Sequence, residues 1–281
     1  MTRRGPAQNA ELAMLLEVAG TPKPGNVDRH RDLADLRFEH FLAGAVGARP
    51  GLEAAEAGEP VGPSFERAVA GMSEQTGGNT QFGTLLLLVP LVAATGDDRP
   101  PTRDTVATVV AETTVEDAVA FYRAFDHVDV LVGDPPADAP DLDVRRGSEA
   151  IPAVRERAVT LEAVMDRAAP EDGVAAEWAG GFERTFATAA RLEFGEGSVT
   201  DRTANAFLEL LADEPDSLVA TKHGVDVARS VSERAESLLD APREEVEAFA
   251  DDLVERGINP GTTADVVAAG LYVALARGTS V

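Results

Sequence analysis

The stretch FGTLLLLVPLVAAT, residues 82–95, decides the fold. It is the most apolar run of the chain, and Pro90 lies within it. A helix that crosses a membrane needs about 20 consecutive apolar residues, and this run is only 14 residues long. The run therefore predicts a helix buried in the core of a soluble protein, with no membrane as a partner.

Apolar residues recur at helical spacing on both sides of this central run. Leu12, Leu15, Leu16 and Ala19 mark one face of a first helix, and Gly20 is placed to end it. Further helical patterns lie at 33–46, 64–75, 113–127, 148–169, 171–194, 200–213, 224–239, 242–256 and 262–277.

Segments rich in glycine and proline separate these helices. Residues 50–63 and 134–143 predict connections, and the only strand-like stretch, 128–132, has no obvious partner. No internal repeat divides the chain, and 281 residues can form one large domain. We therefore predict an all-α fold, with a single compact multi-helix domain over residues 1–281 and irregular motif loops that contain glycine and proline.

The composition is that of a globular but strongly acidic protein. Hydrophobic residues make up 44% of the chain, and 49 acidic against 25 basic residues give a net charge of -24. Nucleic acids and anionic membranes need basic surface, so we expect neither as a partner. An acidic excess spread along the chain is typical of a halophilic protein in strong salt. The lack of cysteine and of a secretion signal predicts a cytoplasmic location.

The irregular segment TPKPGNVDRHRD, residues 21–32, concentrates chemically versatile side chains. Two prolines and a glycine in its first five residues exclude a helix, so its backbone amides can face an anionic ligand. Lys23 supplies a point charge for phosphate, and Asp28 and Asp32 offer the oxygen ligands that suit Mg²⁺. A surface turn with charged ends is an equally weighted interpretation.

Two other segments combine glycine with the start of a helix. GGNTQFG, residues 77–83, precedes the apolar run, and a helix N-terminus beside glycines is a natural anion site. Asn79 or Thr80 can equally be only the N-cap, which is the favoured interpretation. NPGTTAD, residues 259–265, places Asp265 in the first turn of the last helix, where the helix dipole alone explains a carboxylate.

The chain contains only two lysines, against 23 arginines. Both lie in irregular segments that contain glycine: Lys23 in residues 21–32, and Lys222 in DSLVATKHG, residues 216–224. A compact ammonium group fits between phosphate oxygens where a planar, forked guanidinium does not. This placement of the lysines indicates a site for a nucleotide triphosphate.

Together these segments resemble the triphosphoribosyl-dephospho-CoA synthase family. The resemblance rests on TPKPGNVDRHRD, GGNTQFG, RRGSEAIPAVR at 145–155, DSLVATKHG and NPGTTAD, in this order, and it spans about residues 11–276. Pro-Lys-Pro-Gly and Asn-Thr-x-x-Gly are its most specific parts. Gln81 and Phe82 stand where bacterial members typically have His-Lys, and in this the chain looks like an archaeal branch.

The resemblance implies an all-helical transferase that moves the triphosphoribosyl group of ATP onto 3′-dephospho-CoA and releases adenine. In such a displacement one carboxylate stabilises the oxocarbenium-like state and a second takes the proton of the attacking hydroxyl. The implied site consists of Asp28 and Asp32 for Mg²⁺ binding or general-base catalysis, Lys23, Lys222 and Arg155 for the phosphates, and Asn26, His30, Asn79, Thr80 and Asp265 for other contacts with the substrate.

Two other functions stay open at this point. A metal-dependent all-α phosphohydrolase would use His30, Asp32 and Asp216 as ligands and would release phosphate rather than adenine from ATP. A non-catalytic nucleotide-binding protein would bind ATP without turnover. The sequence also leaves open the acceptor and the oligomeric state, and a homo-oligomer is compatible with it.

Overall fold

A computed structural model describes residues 4–96, 99–135 and 138–281, and within these residues it contains fifteen α-helices and no β-strand. This confirms the predicted all-α fold. The predicted connection at 134–143 lies partly outside the described residues. The helices are α1 Pro6–Ala19, α2 Phe38–Glu56, α3 Val61–Met72, α4 Phe82–Ala93, α5 Arg103–Ala111, α6 Val115–Ala124, α7 Ile151–Glu156, α8 Leu161–Ala168, α9 Gly173–Ala179, α10 Glu183–Phe194, α11 Val199–Asp213, α12 Ser217–His223, α13 Val225–Glu236, α14 Arg243–Glu255 and α15 Gly261–Ala276, with 3-10 segments at Pro140–Leu142 and Val144–Ala150.

Two apolar helices, α4 and α15, form the centre of the molecule. Every residue of α4 from Leu85 to Val92 and of α15 from Val266 to Ala276 is buried. A helix that is apolar all round belongs in the core of a domain. Helices α1, α4 and α10 pack around α15. The apolar run is therefore the core helix that its sequence predicts.

Pro90 lies inside α4 without ending it. A proline has no N–H group, so the carbonyl of Leu86, four residues earlier, loses its usual donor. The indole N–H of Trp178, on α9, donates to this carbonyl at 3.1 Å. A side chain from a neighbouring helix thus satisfies the buried backbone oxygen and lets the proline remain in the core.

Helix α2 contradicts the connection predicted over residues 50–63, because it continues through Pro50. Pro50 is exposed, and the Val46 carbonyl that it leaves unpaired belongs to an exposed residue of the same helix. A Cβ atom added at Gly47 would lie 2.2 Å from the carbonyl oxygen of Gly71 on α3. The glycines of α2 therefore allow a close helix crossing.

Several shorter elements also differ from the prediction. Helices α5 and α12 have no counterpart in it, and residues 128–132 are irregular rather than a strand. The helices predicted at 148–169 and 171–194 are each divided, because Ala158 and Phe182 adopt positive φ angles of 50° and 59°. Local turns of this kind leave little trace in hydrophobic periodicity.

One hydrophobic core extends through the molecule from Ala7 on α1 to Leu275 on α15, as expected for a single domain. A small second cluster of Val18, Val27 and Phe41 lies beside the segment that joins α1 to α2. No helix in the described ranges has both the length and the apolar character needed to cross a membrane.

Candidate active site

The segment between α1 and α2 folds into a buried turn that Asp28 organises. Asp28 Oδ2 accepts hydrogen bonds from Thr21 Oγ1 at 2.8 Å and from the Lys23 amide at 3.2 Å. The His30 amide donates to Oδ1 at 2.8 Å, and the Arg31 guanidinium donates to Oδ2 at 3.2 Å. Both oxygens of this carboxylate are therefore committed to holding the turn.

Lys23 is enclosed in the same turn and has no exposed surface. Its ammonium group forms an ion pair with Glu17, in the last turn of α1, and donates to Asn26 Oδ1 at 3.0 Å. The ring of Phe207 lies 5.8 Å away, at cation–π distance. Burial raises the pKa of Glu17, and the Lys23 charge opposes this. The ammonium group is thus part of a buried ion pair, and no face of it is open to a phosphate.

Gly25 and Asn26 attach this turn to the segment before α15. Gly25 has a φ of 74°, and a Cβ atom there would lie 2.2 Å from the carbonyl oxygen of Ile258. Only glycine combines this backbone conformation with so close an approach. The side-chain amide of Asn26 donates to Asn259 Oδ1 at 2.8 Å. Two motifs that are more than 200 residues apart in sequence therefore lie side by side.

The start of α4 meets the start of α15 at Asp265. Asn79 Oδ1 accepts from the Phe82 amide at 3.1 Å, but the N-cap of α4 is Gln81, so the predicted N-cap role of Asn79 or Thr80 is wrong. Thr84 Oγ1 donates to Asp265 Oδ1 at 2.5 Å. A Cβ atom at Gly83 would lie only 2.2 Å from Asp265 Oδ2. The carboxyl group of Asp265 therefore rests against bare backbone at the first turn of α4.

Asp265 lies in an acidic environment. It is half-buried, and its carboxyl group lies against Gly83 and Thr84 at the start of α4. Burial raises the pKa of Asp265 to about 8, and the nearby carboxylates of Glu17, Asp216 and Asp172 add to this effect. The hydrogen bond from Thr84 acts in the opposite direction. A carboxyl group with a strongly perturbed pKa at the meeting point of three motifs is a candidate for chemistry.

Asp216 joins α12 to α15. Its Oδ1 accepts from the Val219 amide at 3.0 Å as the N-cap of α12, and its Oδ2 accepts from the amide and hydroxyl of Thr263 at 2.7 and 2.8 Å. Burial raises the pKa of Asp216, and the bonds from Thr263 oppose this. Next to it, Ser217 Oγ accepts from the Gly173 amide at 2.9 Å, which brings the start of α9 to the same place.

We call this meeting point the α4–α15 junction; it consists of the starts of α4 and α15, the buried turn at residues 21–28 and Asp216. Of the predicted site residues, Lys23, Asn26 and Asp28 lie in its turn, and Asp265 lies at its centre. Asn79 and Thr80 lie on its α4 side and are half-buried.

Four predicted residues are not part of the junction. His30 and Asp32 are exposed, and Asp32 accepts the first amide of α2 at 2.8 Å. Arg155, on α7, is exposed and forms a bidentate ion pair with Glu116 at 3.1 and 2.9 Å. Lys222 is exposed at the end of α12, with its ammonium group 3.4 Å from a backbone carbonyl before α15.

The predicted Mg²⁺ ligands, Asp28 and Asp32, do not form a chelating pair. Asp28 uses both oxygens inside the turn, whereas Asp32 is exposed outside it. Across the described residues, no group of three or more His, Cys, Asp or Glu side chains is arranged to hold a metal ion. The ligand set required by the phosphohydrolase alternative, His30, Asp32 and Asp216, is therefore not assembled.

Two surface cavities lie outside the α4–α15 junction. One of about 440 Å³ separates α13 from α14 and is lined in part by Arg234, Phe249 and Arg256. The other, of about 270 Å³, lies at the start of α1. None of the predicted site residues lines either cavity. Six of the ten predicted residues instead meet at the junction, where Thr80 and Asp265 are half-buried.

Several residues that fix the junction were not predicted from the sequence: Glu17, Thr84, Asn259 and Thr263. Glu17 carries a usable signal, because a carboxylate in the last turn of a helix opposes the helix dipole and so calls for a partner. The two threonines and the asparagine carry none, since such residues are common at helix starts for capping alone.

The fold and the junction together define an all-helical protein with carboxyl groups gathered at the starts of its central helices. Residues 3–280 match the model of the ATP:dephospho-CoA triphosphoribosyl transferase (CitG) family, and the chain belongs to this family. It is therefore a transferase, and the two alternative functions are set aside.

One solved structure supports this assignment. The crystal structure of a protein assigned as a triphosphoribosyl-dephospho-CoA synthase from Archaeoglobus fulgidus is 28% identical in sequence, with a TM-score of 0.68. The similarity covers 85% of this chain and 99% of that one. No curated protein matches the sequence.

Proposed function

We propose that this chain transfers the triphosphoribosyl group of ATP to 3′-dephospho-CoA at the α4–α15 junction, with release of adenine. Family membership supports the reaction. One observation supports the place: the Asp265 carboxyl group lies against the bare backbone of Gly83 and the Thr84 hydroxyl at the start of α4. This puts a carboxyl group and a helix N-terminus together, as a reaction at the ribose of a triphosphate requires.

We propose that the triphosphate binds at the start of α4. The Phe82 amide donates to Asn79 Oδ1 and the Leu85 amide donates to the Gln81 carbonyl, but the Gly83 and Thr84 amides have no partner in the part of the chain that the structure describes. Free amides and the helix dipole favour an anion at this end of a helix. The missing side chain of Gly83 lets a phosphate approach the backbone closely.

We propose that Mg²⁺ accompanies ATP. The triphosphate carries about four negative charges into a protein of net charge -24, and Mg²⁺ in nucleotide sites is bound largely by phosphate oxygens, with several waters retained. A bound Mg²⁺ would supply charge neutralisation. We do not include Asp28 among its ligands, because Asp28 has no exposed surface and its oxygens hold the turn together.

Lys23 has a different role in this proposal from a phosphate contact. Its ammonium group neutralises Glu17 and fixes Asn26, which in turn holds Asn259 in front of α15. We infer that Lys23 stabilises the conformation of the junction and that it does not contact ATP directly.

The location that fits this function is a cytoplasm of high ionic strength, and small-molecule substrates rather than nucleic acid are the proposed partners. The support is the net charge of -24 and the absence of cysteine.

The test is adenine formation that depends on 3′-dephospho-CoA, measured for the parent and for Gly83→Ala. A methyl group at residue 83 would collide with Asp265 Oδ2, so the carboxyl group must move. We expect kcat/KM to fall on the order of 10²-fold, as when a reacting group is displaced by about 1 Å.

Gly133→Ala is the matched control. Among the described residues its methyl group would meet only Glu171 Oε2, at 3.6 Å, and Gly133 is exposed. This variant should keep the parental kcat/KM. If Gly83→Ala also keeps the parental kcat/KM, the α4–α15 junction is not the site of the reaction.

A further inference from the structure

Asp265 is the fifth residue of α15, beyond the first turn in which the sequence pattern placed it. Capping and the helix dipole act within the first turn of a helix, so neither calls for a carboxylate at this position. The only hydrogen-bond partner of Asp265 is the hydroxyl of Thr84, on another helix, within the residues that the structure describes. It accepts no backbone amide of α15 there, so capping does not explain its position.

No cation balances Asp265. None of the ion pairs among the described residues includes it, and the charged groups that influence it from neighbouring elements are the carboxylates of Glu17, Asp216 and Asp172. The cations in this region are already paired: Lys23 binds Glu17, and Arg184 binds Glu177. The surroundings therefore favour a neutral, protonated Asp265.

The two oxygens of Asp265 have different neighbours. Thr84 fixes Oδ1, whereas Oδ2 has no hydrogen-bond partner in the described part of the chain and lies beside Gly83. A proton on Oδ2 would thus face the first turn of α4, where the triphosphate is proposed to bind. The Thr84 hydrogen bond thus holds one oxygen and leaves the other free to act on a nucleotide bound at the start of α4.

We propose that Asp265 is the general acid that protonates the adenine of ATP as it leaves. This inference rests on the proposed function. The bond from C1′ to N9 breaks with its electron pair passing to the purine, and the Asp265 proton goes to a purine ring nitrogen. A new bond forms from C1′ to the acceptor hydroxyl oxygen, and the hydroxyl proton is released to solvent. Adenine then leaves as a neutral molecule.

The acid–base properties of the residue agree with this role. With its pKa raised to about 8, Asp265 holds its proton at neutral pH. A bound triphosphate adds negative charge nearby and favours the protonated form further. Activity that needs this proton is present below the pKa and is lost as the pH rises through it.

The test compares ATP with 7-methyl-ATP in the parent and in Asp265→Asn. The methylated purine carries a positive charge already and leaves without protonation. We expect Asp265→Asn to reduce kcat with ATP by about 10²- to 10⁴-fold, the usual contribution of general acid catalysis. With 7-methyl-ATP the loss should stay below about 10-fold. The parental decline of kcat/KM with ATP above about pH 8 should also disappear in the variant.

Asp104→Asn is the control, because Asp104 is an exposed carboxylate in the first turn of α5. It should behave as the parent with both nucleotides, and thermal unfolding should show that Asp265→Asn is folded. Equal losses with the two nucleotides would overturn the acid role of Asp265. A parent that releases neither adenine from ATP nor 7-methyladenine from 7-methyl-ATP with dephospho-CoA would instead overturn the proposed function itself.

Discussion

At the scale of single residues, the two lysines separate into different roles. The sequence singles out both, but Lys23 is fully buried against Glu17, whereas Lys222 is exposed. A buried ion pair is costly to disturb, since the partner left behind is a desolvated charge. An exposed ammonium group near a backbone carbonyl contributes little to stability.

Replacing each lysine with arginine tests this difference. Lys23→Arg inserts a larger group into an enclosed space, and we expect a loss of about 1–3 kcal/mol in the free energy of unfolding. Lys222→Arg should change it by less than about 0.5 kcal/mol. Urea unfolding measures the stability, and initial rates measure KM for ATP. A ten-fold rise in KM for Lys222→Arg would make that lysine a phosphate contact after all.

Part of the site could be predicted from the sequence, because several of its residues stand out there. The rarity of lysine, the glycine-containing segments and the family resemblance pointed to Lys23, Asn79 and Asp265 as parts of one site. Their roles were not predictable, because spacing in a sequence does not show whether a side chain is enclosed. The phosphate role given to Lys23 and the metal role given to Asp28 both assume open faces, but both side chains are fully buried and bonded to internal partners.

At the scale of elements, the junction depends on helix starts rather than on whole helices. Asp216 caps α12 with one oxygen and binds Thr263, in the first turn of α15, with the other. Asp265 lies two residues further along α15. The position of the Asp265 carboxyl group therefore depends on the Asp216 cap.

Removing this cap should affect both stability and activity. We expect Asp216→Ala to cost about 1–2 kcal/mol of unfolding free energy, as for other lost N-caps, and to lower kcat/KM at least about ten-fold. Thr102→Ala removes the exposed cap of α5, where Thr102 accepts the Thr105 amide. It should cost about 1 kcal/mol with unchanged kcat/KM. An Asp216→Ala variant that is less stable but fully active would show that the Asp216 cap does not position the catalytic groups.

The elements were predictable where hydrophobic pattern alone decides them. The core helices α4 and α15 follow from their apolar runs. The extent of α2 does not follow from its sequence. Glycines and a proline such as Pro50 occur both in loops and in helices that cross closely, as at Gly47 and Gly71. Helices α5 and α12, of 9 and 7 residues, are too short for a periodic pattern to identify.

At the scale of the whole molecule, charge is the dominant feature. With 49 acidic and 25 basic residues, even complete pairing would leave 24 carboxylates without a lysine or arginine partner. Many arginines already pair at the surface, as Arg157 does with Asp141 at 2.7 Å. Exposed pairs of this kind contribute little individually. Repulsion among the remaining carboxylates therefore opposes the folded state unless salt screens it.

We expect the thermal midpoint to rise between about 0.1 M and 1 M KCl, as the Debye length falls from about 10 Å to about 3 Å. The rise should be much smaller near pH 5, since the isoelectric point is about 4.4 and little net charge remains. Scanning calorimetry at both pH values measures the effect. A midpoint that does not rise with KCl at pH 7 would argue against repulsion as the limit on stability.

The central claim is that the chain moves an intact triphosphoribosyl group. The most direct measurement is mass spectrometry of the products formed from ATP, Mg²⁺ and 3′-dephospho-CoA in molar KCl. The account predicts free adenine and a dephospho-CoA product that has gained one triphosphoribosyl unit, in equal amounts. Release of phosphate, pyrophosphate or ADP, with the mass of the acceptor unchanged, would contradict it.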